Sequence, residues 1–223
     1  MSTLTLVIGN KTYSSWSLRP WLLLRHLGVE FQEIPVPLHA PDAAAQIARY
    51  SPSGRVPVLL DGDRVIWESL AIGEYLADRY PEVWPTEAHR RALARSAASE
   101  MHAGFTALRE ELPFNCRSRR SGVVPSLAAQ AEIKRVVALW ATCRSTISSE
   151  EGPWLFGRFS CTDAMFAPVA LRFYTYGVAL SEEAEAYIDT IRQDVHVQDW
   201  IQAARKETAV IPGEERGESV DAV

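Results

Sequence analysis

The chain has 223 residues, enough for one large domain or two small ones. With 47% hydrophobic and 23% charged residues it has the balance of a soluble globular protein. A formal net charge of -5 disfavours a nucleic-acid partner, because such binders carry a basic surface. No apolar run reaches the length of a membrane span, and no basic segment with an apolar stretch and cleavage site opens the chain, so the cytoplasm is the expected compartment. Cys116, Cys143 and Cys161 form neither a disulfide framework nor a zinc pattern and read as buried hydrophobes.

The first eighty residues alternate in type. Leu4 to Ile8 reads as a strand, and Ser15 to Leu27 as a helix closed by Gly28. Pro20 within that helix is tolerated if it falls in the first turn. Phe31 to Val36 is a second strand and Ala43 to Tyr50 a short helix. Val58 to Leu60 and Arg64 to Trp67 form a hairpin through the turn at Asp61-Gly62-Asp63. Ser69 to Tyr80 is a third helix. The order predicts a small α/β sheet domain over residues 1–81. Beyond the connector Pro81 to Pro85, an all-helical domain is predicted over 86–212. Its helices are Thr86 to Leu112, Leu127 to Ser148, Thr162 to Tyr176, Glu182 to Arg192 and Val195 to Lys206. The polar stretch 213–223 is expected to be a disordered tail.

Three short patterns bear chemistry. Ser14-Ser15-Trp16-Ser17 lies where the first strand meets the first helix. No GxSxG elbow surrounds these serines, which disfavours a hydrolase nucleophile. A hydroxyl there suits an anion such as a thiolate, which also gains from the helix dipole. Lowering a thiol pKa of about 8.5 by roughly two units takes about 2.7 kcal/mol. One hydrogen bond to a charged group, about 1.5–3 kcal/mol, is of that size. Val56-Pro57 precedes an apolar strand, and a cis bond there would expose the Val56 backbone to an extended peptide. Glu68-Ser69 opens a helix whose free amides suit a carboxylate. Taken singly, each pair reads more readily as an ordinary cap or a strand-start proline.

Together, in this order, the patterns resemble the cytosolic glutathione transferases over roughly residues 3 to 205. Ser14-Ser15-Trp16-Ser17-Leu18-Arg19 is similar to the Ser-Ser-Cys-Ser-x-Arg signature of the zeta class, which includes maleylacetoacetate isomerases. The resemblance implies a thioredoxin-like N-terminal domain joined to an all-α C-terminal domain. It implies that Ser14 donates to the glutathione sulfur, with Ser15 able to share the role. Val56 would pair with the cysteinyl backbone, Pro57 would hold the cis bond, and Glu68 and Ser69 would bind the γ-glutamyl end. Trp16 and Arg55 fall among the glutathione-binding positions. Trp16 stands where the zeta class has cysteine, which sets the isomerase reading in question. Ser160-Cys161-Thr162-Asp163 is a capping-box variant similar to the family's N-capping box and reads as a folding element.

The electrophile is expected between the domains. Met101, Phe105 and Arg109 recur at i, i+4, i+8 of one predicted helix, giving an apolar wall and a cation. Asn115 and Arg117 are further polar candidates. The five histidines have no metal-ligand spacing, so no metal is expected, and no glycine pattern for phosphate binding occurs. The expected activity is addition of glutathione thiolate, with glutathione as co-substrate, to a small electrophile, by a two-fold homodimer. Glutathione-dependent cis–trans isomerisation and a non-catalytic binding or regulatory protein are the alternatives. A disulfide reductase would need a cysteine at the first helix, and none is there.

Overall fold

Four strands set the N-terminal frame: β1 (Leu4–Ile8), β2 (Phe31–Pro35), β3 (Val58–Asp61) and β4 (Arg64–Trp67), in the order β2-β1-β3-β4. The computed structural model describes residues 3–220. β1 runs parallel to β2, with Leu4 opposite Phe31, and antiparallel to β3, with Leu6 opposite Leu59. A parallel pair needs a long crossover, and α1 (Ser15–His26) supplies it. The two-residue period of β1 then divides the core. Leu4, Leu6 and Ile8 join Leu18, Leu22, Ile72 and Leu76 on one face. Val7 joins Val36, Val58 and Ile47 of α2 (Ala43–Ala48) on the other. The predicted boundaries of β1 and β4 stand unchanged, and α3 (Ser69–Ala77) closes the domain. Pro20 lies in the second turn of α1, not the first, so the Trp16 carbonyl is denied the amide of residue 20.

The rest of the chain is mainly helical: α4 (Ala88–Ala103), α5 (Thr106–Glu111), α6 (Leu127–Arg144), α7 (Cys161–Tyr176), α8 (Glu182–Gln193) and α9 (Val195–Arg205). α7 is buried along nearly its whole length and packs on α1, α4 and α8. Its apolar residues merge with those of α1 and α3 into one core spanning both halves of the chain. Close approach is possible because Gly73 of α3 has no side chain. A Cβ there would lie 2.7 Å from Cys161 Sγ. The Ser160–Asp163 box forms as read: Ser160 N and Oγ donate to Asp163 Oδ2, each at 2.9 Å.

Two expectations change. The helix read as continuous from Thr86 to Leu112 breaks at Gly104, whose backbone is extended, and Phe105, whose φ is 60°. A Cβ at Gly104 would come within 2.9 Å of the Glu100 carbonyl. Glu132 of α6 then accepts from the Leu108 amide at 2.7 Å and caps the new helix. The second change concerns 213–223, read as a disordered tail. Pro212–Glu214 is a 3-10 turn, and Glu218–Ser219 (β6) pairs with Arg120–Ser121 (β5), a ribbon absent from the all-helical expectation. Glu207 accepts from the Lys11 and Thr12 amides, and Glu215 from Tyr13 and Asn115, so the segment is tied back to the first domain. Residues 221–223 lie outside the described residues.

Candidate functional site

The site forms where β3, α1 and α3 of the first domain face α4 and α5 of the second. The Val56–Pro57 bond before β3 is cis. Glu68, at the N-cap of α3, has φ 70° and ψ 125°, a backbone region that residues with a Cβ seldom occupy. Ser69 begins α3 and is 2% exposed. Arg55, Val56, Pro57, Glu68 and Ser69 border one cleft of about 450 Å³, closed on its far side by Trp16, His102 and Arg109. The sequence patterns are thus brought together on one cleft, and Glu68 Oε2 lies 3.5 Å from His102 Nε2 of the helical domain.

A second recess of about 330 Å³ lies on the other side of Trp16 and Arg109, which border both cavities. Ser15, Arg172 and Glu214 also line it. The two neighbouring hydroxyls therefore differ in duty. Ser14 Oγ accepts from the Ser17 amide as the N-cap of α1 and donates to Ser17 Oγ at 2.7 Å. Its proton is already used, and it lines neither cavity. Ser15 Oγ faces the recess and accepts from Arg172 Nη2 at 3.3 Å, leaving its own proton free to donate.

Cations dominate the junction. Arg19 is 1% exposed, and none of its guanidinium nitrogens has a hydrogen-bond partner among the described residues. Its guanidinium lies 4.0 Å from the centre of the Trp16 ring, and that of Arg109 lies at 5.3 Å. Burial, with Arg172 and Arg109 nearby, pushes the Arg19 pKa well below the usual arginine value. Burial likewise brings Arg172 down to about 10. His102, beside the Trp16 ring at 5.4 Å, is lowered by burial and by Arg19, which favours its neutral form. Glu214 is raised, again mainly by burial.

Not every expected wall residue is in place. Because the helix breaks at Gly104, Met101 and Phe105 no longer share a face with Arg109. Both are packed in the core and line neither cavity. Asn115 and Arg117 fasten the C-terminal segment: Asn115 donates to Glu215 at 3.0 Å, and Arg117 to the Ala209 carbonyl at 2.9 Å. The sequence reading missed Arg172, His102, Ser53 and Glu214. Arg172 left a trace, since it is the single basic residue in the largely apolar run Cys161–Tyr176. Among the described residues, no cluster of His, Cys, Asp and Glu has the geometry of a metal site, and no helix is long and apolar enough to cross a membrane.

Parts of the chain are similar to known proteins. Residues 13–79 match the model of the glutathione S-transferase N-terminal domain. Glutathione S-transferase Z2 of Arabidopsis thaliana is 38% identical over 102 residues, 43% of this chain and 46% of that protein. A probable maleylacetoacetate isomerase of Caenorhabditis elegans is 32% identical over 96 residues, 42% of this chain and 44% of that protein. The aligned part thus spans about half the length of the curated relatives it matches. Among solved structures, a glutathione transferase homolog from Burkholderia with bound glutathione superposes with a TM-score of 0.69 at 24% identity, over 92% of this chain and 100% of that one. Ure2p in complex with glutathione gives 0.65 at 17%, over 90% and 93%. At these identities the structural likeness speaks for the fold: a thioredoxin-like domain followed by a helical one.

Proposed function

We propose that this chain is a member of the cytosolic glutathione transferase superfamily, a reading supported by the match over residues 13–79 and by the similar proteins above, and that it binds glutathione in the 450 Å³ cleft and transfers its thiolate to a small electrophile in the adjoining recess. The observation that carries this reading is the convergence of Arg55, Val56, Glu68 and Ser69 on one cleft that ends at the N-terminus of α1. In the proposed pose the Val56 backbone pairs with the cysteinyl unit as an added strand does. Ser69 and the first amides of α3 receive the γ-glutamyl carboxylate, and Glu68 faces its ammonium. Trp16 and Arg55 flank the tripeptide.

The sulfur then sits at the Trp16 junction. Ser15 is the better placed donor to it, because the Ser14 proton is held by Ser17. A donated hydrogen bond, the α1 dipole and the Arg172 charge all favour thiolate over thiol. The thiol proton passes to water. The sulfur lone pair forms a bond to the electrophilic carbon, and a leaving group departs with its bonding pair. With an unsaturated carbonyl compound, the electrons instead move to the carbonyl oxygen and water protonates the resulting enolate. Holding both partners side by side supplies the proximity term.

Glutathione-dependent cis–trans isomerisation is the second reading, favoured by the similarity to the Caenorhabditis elegans protein. It differs only in the last step, where rotation precedes re-expulsion of the thiolate. A cytoplasmic homodimer is expected with either.

Calorimetry with reduced glutathione, followed by assays on 1-chloro-2,4-dinitrobenzene and on maleylacetone, tests the proposal. Saturable heat and turnover of the chloroarene are expected. Turnover of maleylacetone alone would favour the isomerase, and no heat at millimolar glutathione would end both readings.

A further inference from the structure

Glu68 and His102 meet across the two domains, with Glu68 Oε2 3.5 Å from His102 Nε2. Both border the 450 Å³ cleft. The Glu68 side chain is exposed and makes no other ion pair among the described residues. At 3.5 Å the contact is too long for a strong hydrogen bond, so an uncharged ring offsets little of the carboxylate charge. The ring itself rests against the Trp16 indole, edge to face at 5.4 Å.

The geometry around His102 favours that uncharged ring. A neutral imidazole beside a carboxylate carries its proton on the facing nitrogen, here Nε2. A second proton would go to Nδ1, which is buried and has no hydrogen-bond partner among the described residues. A buried N–H without an acceptor is costly, and more so when it carries charge. Burial acts first against the charged ring; Arg19 of α1 and Arg109 of α5 repel it, and Glu68 alone attracts it. Glu100, on the same helix, gives both carboxylate oxygens to Arg135 of α6. α7 also packs on α4 and meets it with the uncharged Thr162, bonded to the Ala94 carbonyl at 3.2 Å.

We propose that His102 decides whether Glu68 can serve a ligand cation: the neutral ring leaves the carboxylate free for the ammonium of the γ-glutamyl end, and a charged ring would occupy it. His102 is then a specificity-determining residue for peptides that carry this ammonium. The inference deepens the glutathione-binding reading and rests on it. It also fixes a sign with pH. Acid that protonates His102 weakens binding, and the bound ammonium, a like charge, makes the ring harder to protonate.

Two ligands that differ in one group provide the test. S-methylglutathione has no thiol to titrate, and 4-carboxybutanoyl-S-methylcysteinylglycine is the same molecule with hydrogen in place of the ammonium. Their dissociation constants are read by calorimetry at neutral pH. The parent should prefer the ligand with the ammonium by tenfold or more, and so should His102→Gln, which is uncharged. In His102→Arg and His102→Lys, which place a lasting cation beside Glu68, the preference should fall to near unity while the analogue binds within about threefold of the parent. Binding of the analogue shows that these variants fold. A preference kept in both charged variants, or absent from the parent, would overturn the inference and leave glutathione binding standing. No heat from either ligand with the parent would end the glutathione reading and the inference together. A readout that needs no variant is the His102 ring resonance followed by NMR against pH. S-methylglutathione should lower its titration midpoint and the analogue should not. A midpoint raised or unmoved by S-methylglutathione would contradict the inference.

Discussion

Arg172 donates from Nη2 to the hydroxyl oxygen of Ser15 across 157 residues of sequence, at 3.3 Å. The contact joins the last long buried helix to the first residue of α1 and fixes which serine looks into the recess. Ser14, one residue earlier, is turned inward and spends its proton on Ser17.

One pair of variants tests this division. Ser15→Ala should lower kcat/KM between about tenfold and about a hundredfold, the worth of one hydrogen bond to a charged group at about 1.5–3 kcal/mol. It should also lower the unfolding free energy by about 1–3 kcal/mol, because the buried Nη2 of Arg172 loses its acceptor. Ser14→Ala should cost about 0.5–2 kcal/mol of stability as a lost cap, with a smaller loss of activity. Steady-state kinetics beside urea unfolding checks both. A larger loss of activity in Ser14→Ala than in Ser15→Ala would return the thiolate to Ser14.

Glu68 holds a backbone conformation that suits glycine better than any residue with a Cβ. Such strain costs of order 1–3 kcal/mol and tends to collect at ligand sites. Glu68→Gly should therefore be more stable than Glu68→Ala by about 1 kcal/mol or more. Both should bind glutathione more weakly than the parent, since both lose the carboxylate that faces the cleft. Equal melting temperatures for the two variants would show that the position carries no strain.

Asp163 is buried under four donors, from Leu155 N, Ser160 N, Ser160 Oγ and Tyr187 Oη. Burial nevertheless raises its pKa to about 6, with the hydrogen bonds opposing the rise. A folded-state value above the unfolded one means that the native state binds the extra proton. Its contribution to stability is therefore full below the unfolded value, near pH 4, and declines as pH rises through about 6. Asp163→Asn removes the titration. Its destabilisation relative to the parent should thus be greatest near pH 4 and shrink towards pH 6.5, as read by denaturant unfolding across that range. A difference that grows with pH would mean that the donors outweigh burial.

The thiols should be silent. Burial raises Cys116 and Cys143 to about 12, and Cys161 higher still. At pH 8 all three are protonated and poor nucleophiles. Iodoacetamide should label none of them in the native protein, all three after unfolding, and should leave transferase activity intact. Loss of activity in step with labelling of one cysteine would point to redox chemistry instead.

The N-terminal domain was legible because its signals are local. The Asp61-Gly62-Asp63 turn fixes the hairpin register, and the apolar period of Leu4–Ile8 fixes β1. The cleft residues Val56, Glu68 and Ser69 were legible for a similar reason, since each sits at the end of an element where backbone groups are unpaired. The helix break at Gly104 was not, because a lone glycine in a helical pattern is ordinarily tolerated. Only the carboxylate of Glu132 and the Glu100 carbonyl make it a stop, and both are tertiary or conformational facts. Arg172 could be seen as an oddity in an apolar helix, but not as a neighbour of Ser15. The ordered course of 207–219 depends on the Lys11 and Thr12 amides, which nothing in its polar sequence announces.

Ultraviolet difference titration of the glutathione complex, following thiolate absorbance as pH is raised, reaches the core of the account most directly. The account predicts that bound glutathione ionises at least one pH unit below the free tripeptide, and that Ser15→Ala moves the midpoint back towards the free value. A midpoint equal to that of free glutathione in the parent protein would contradict it.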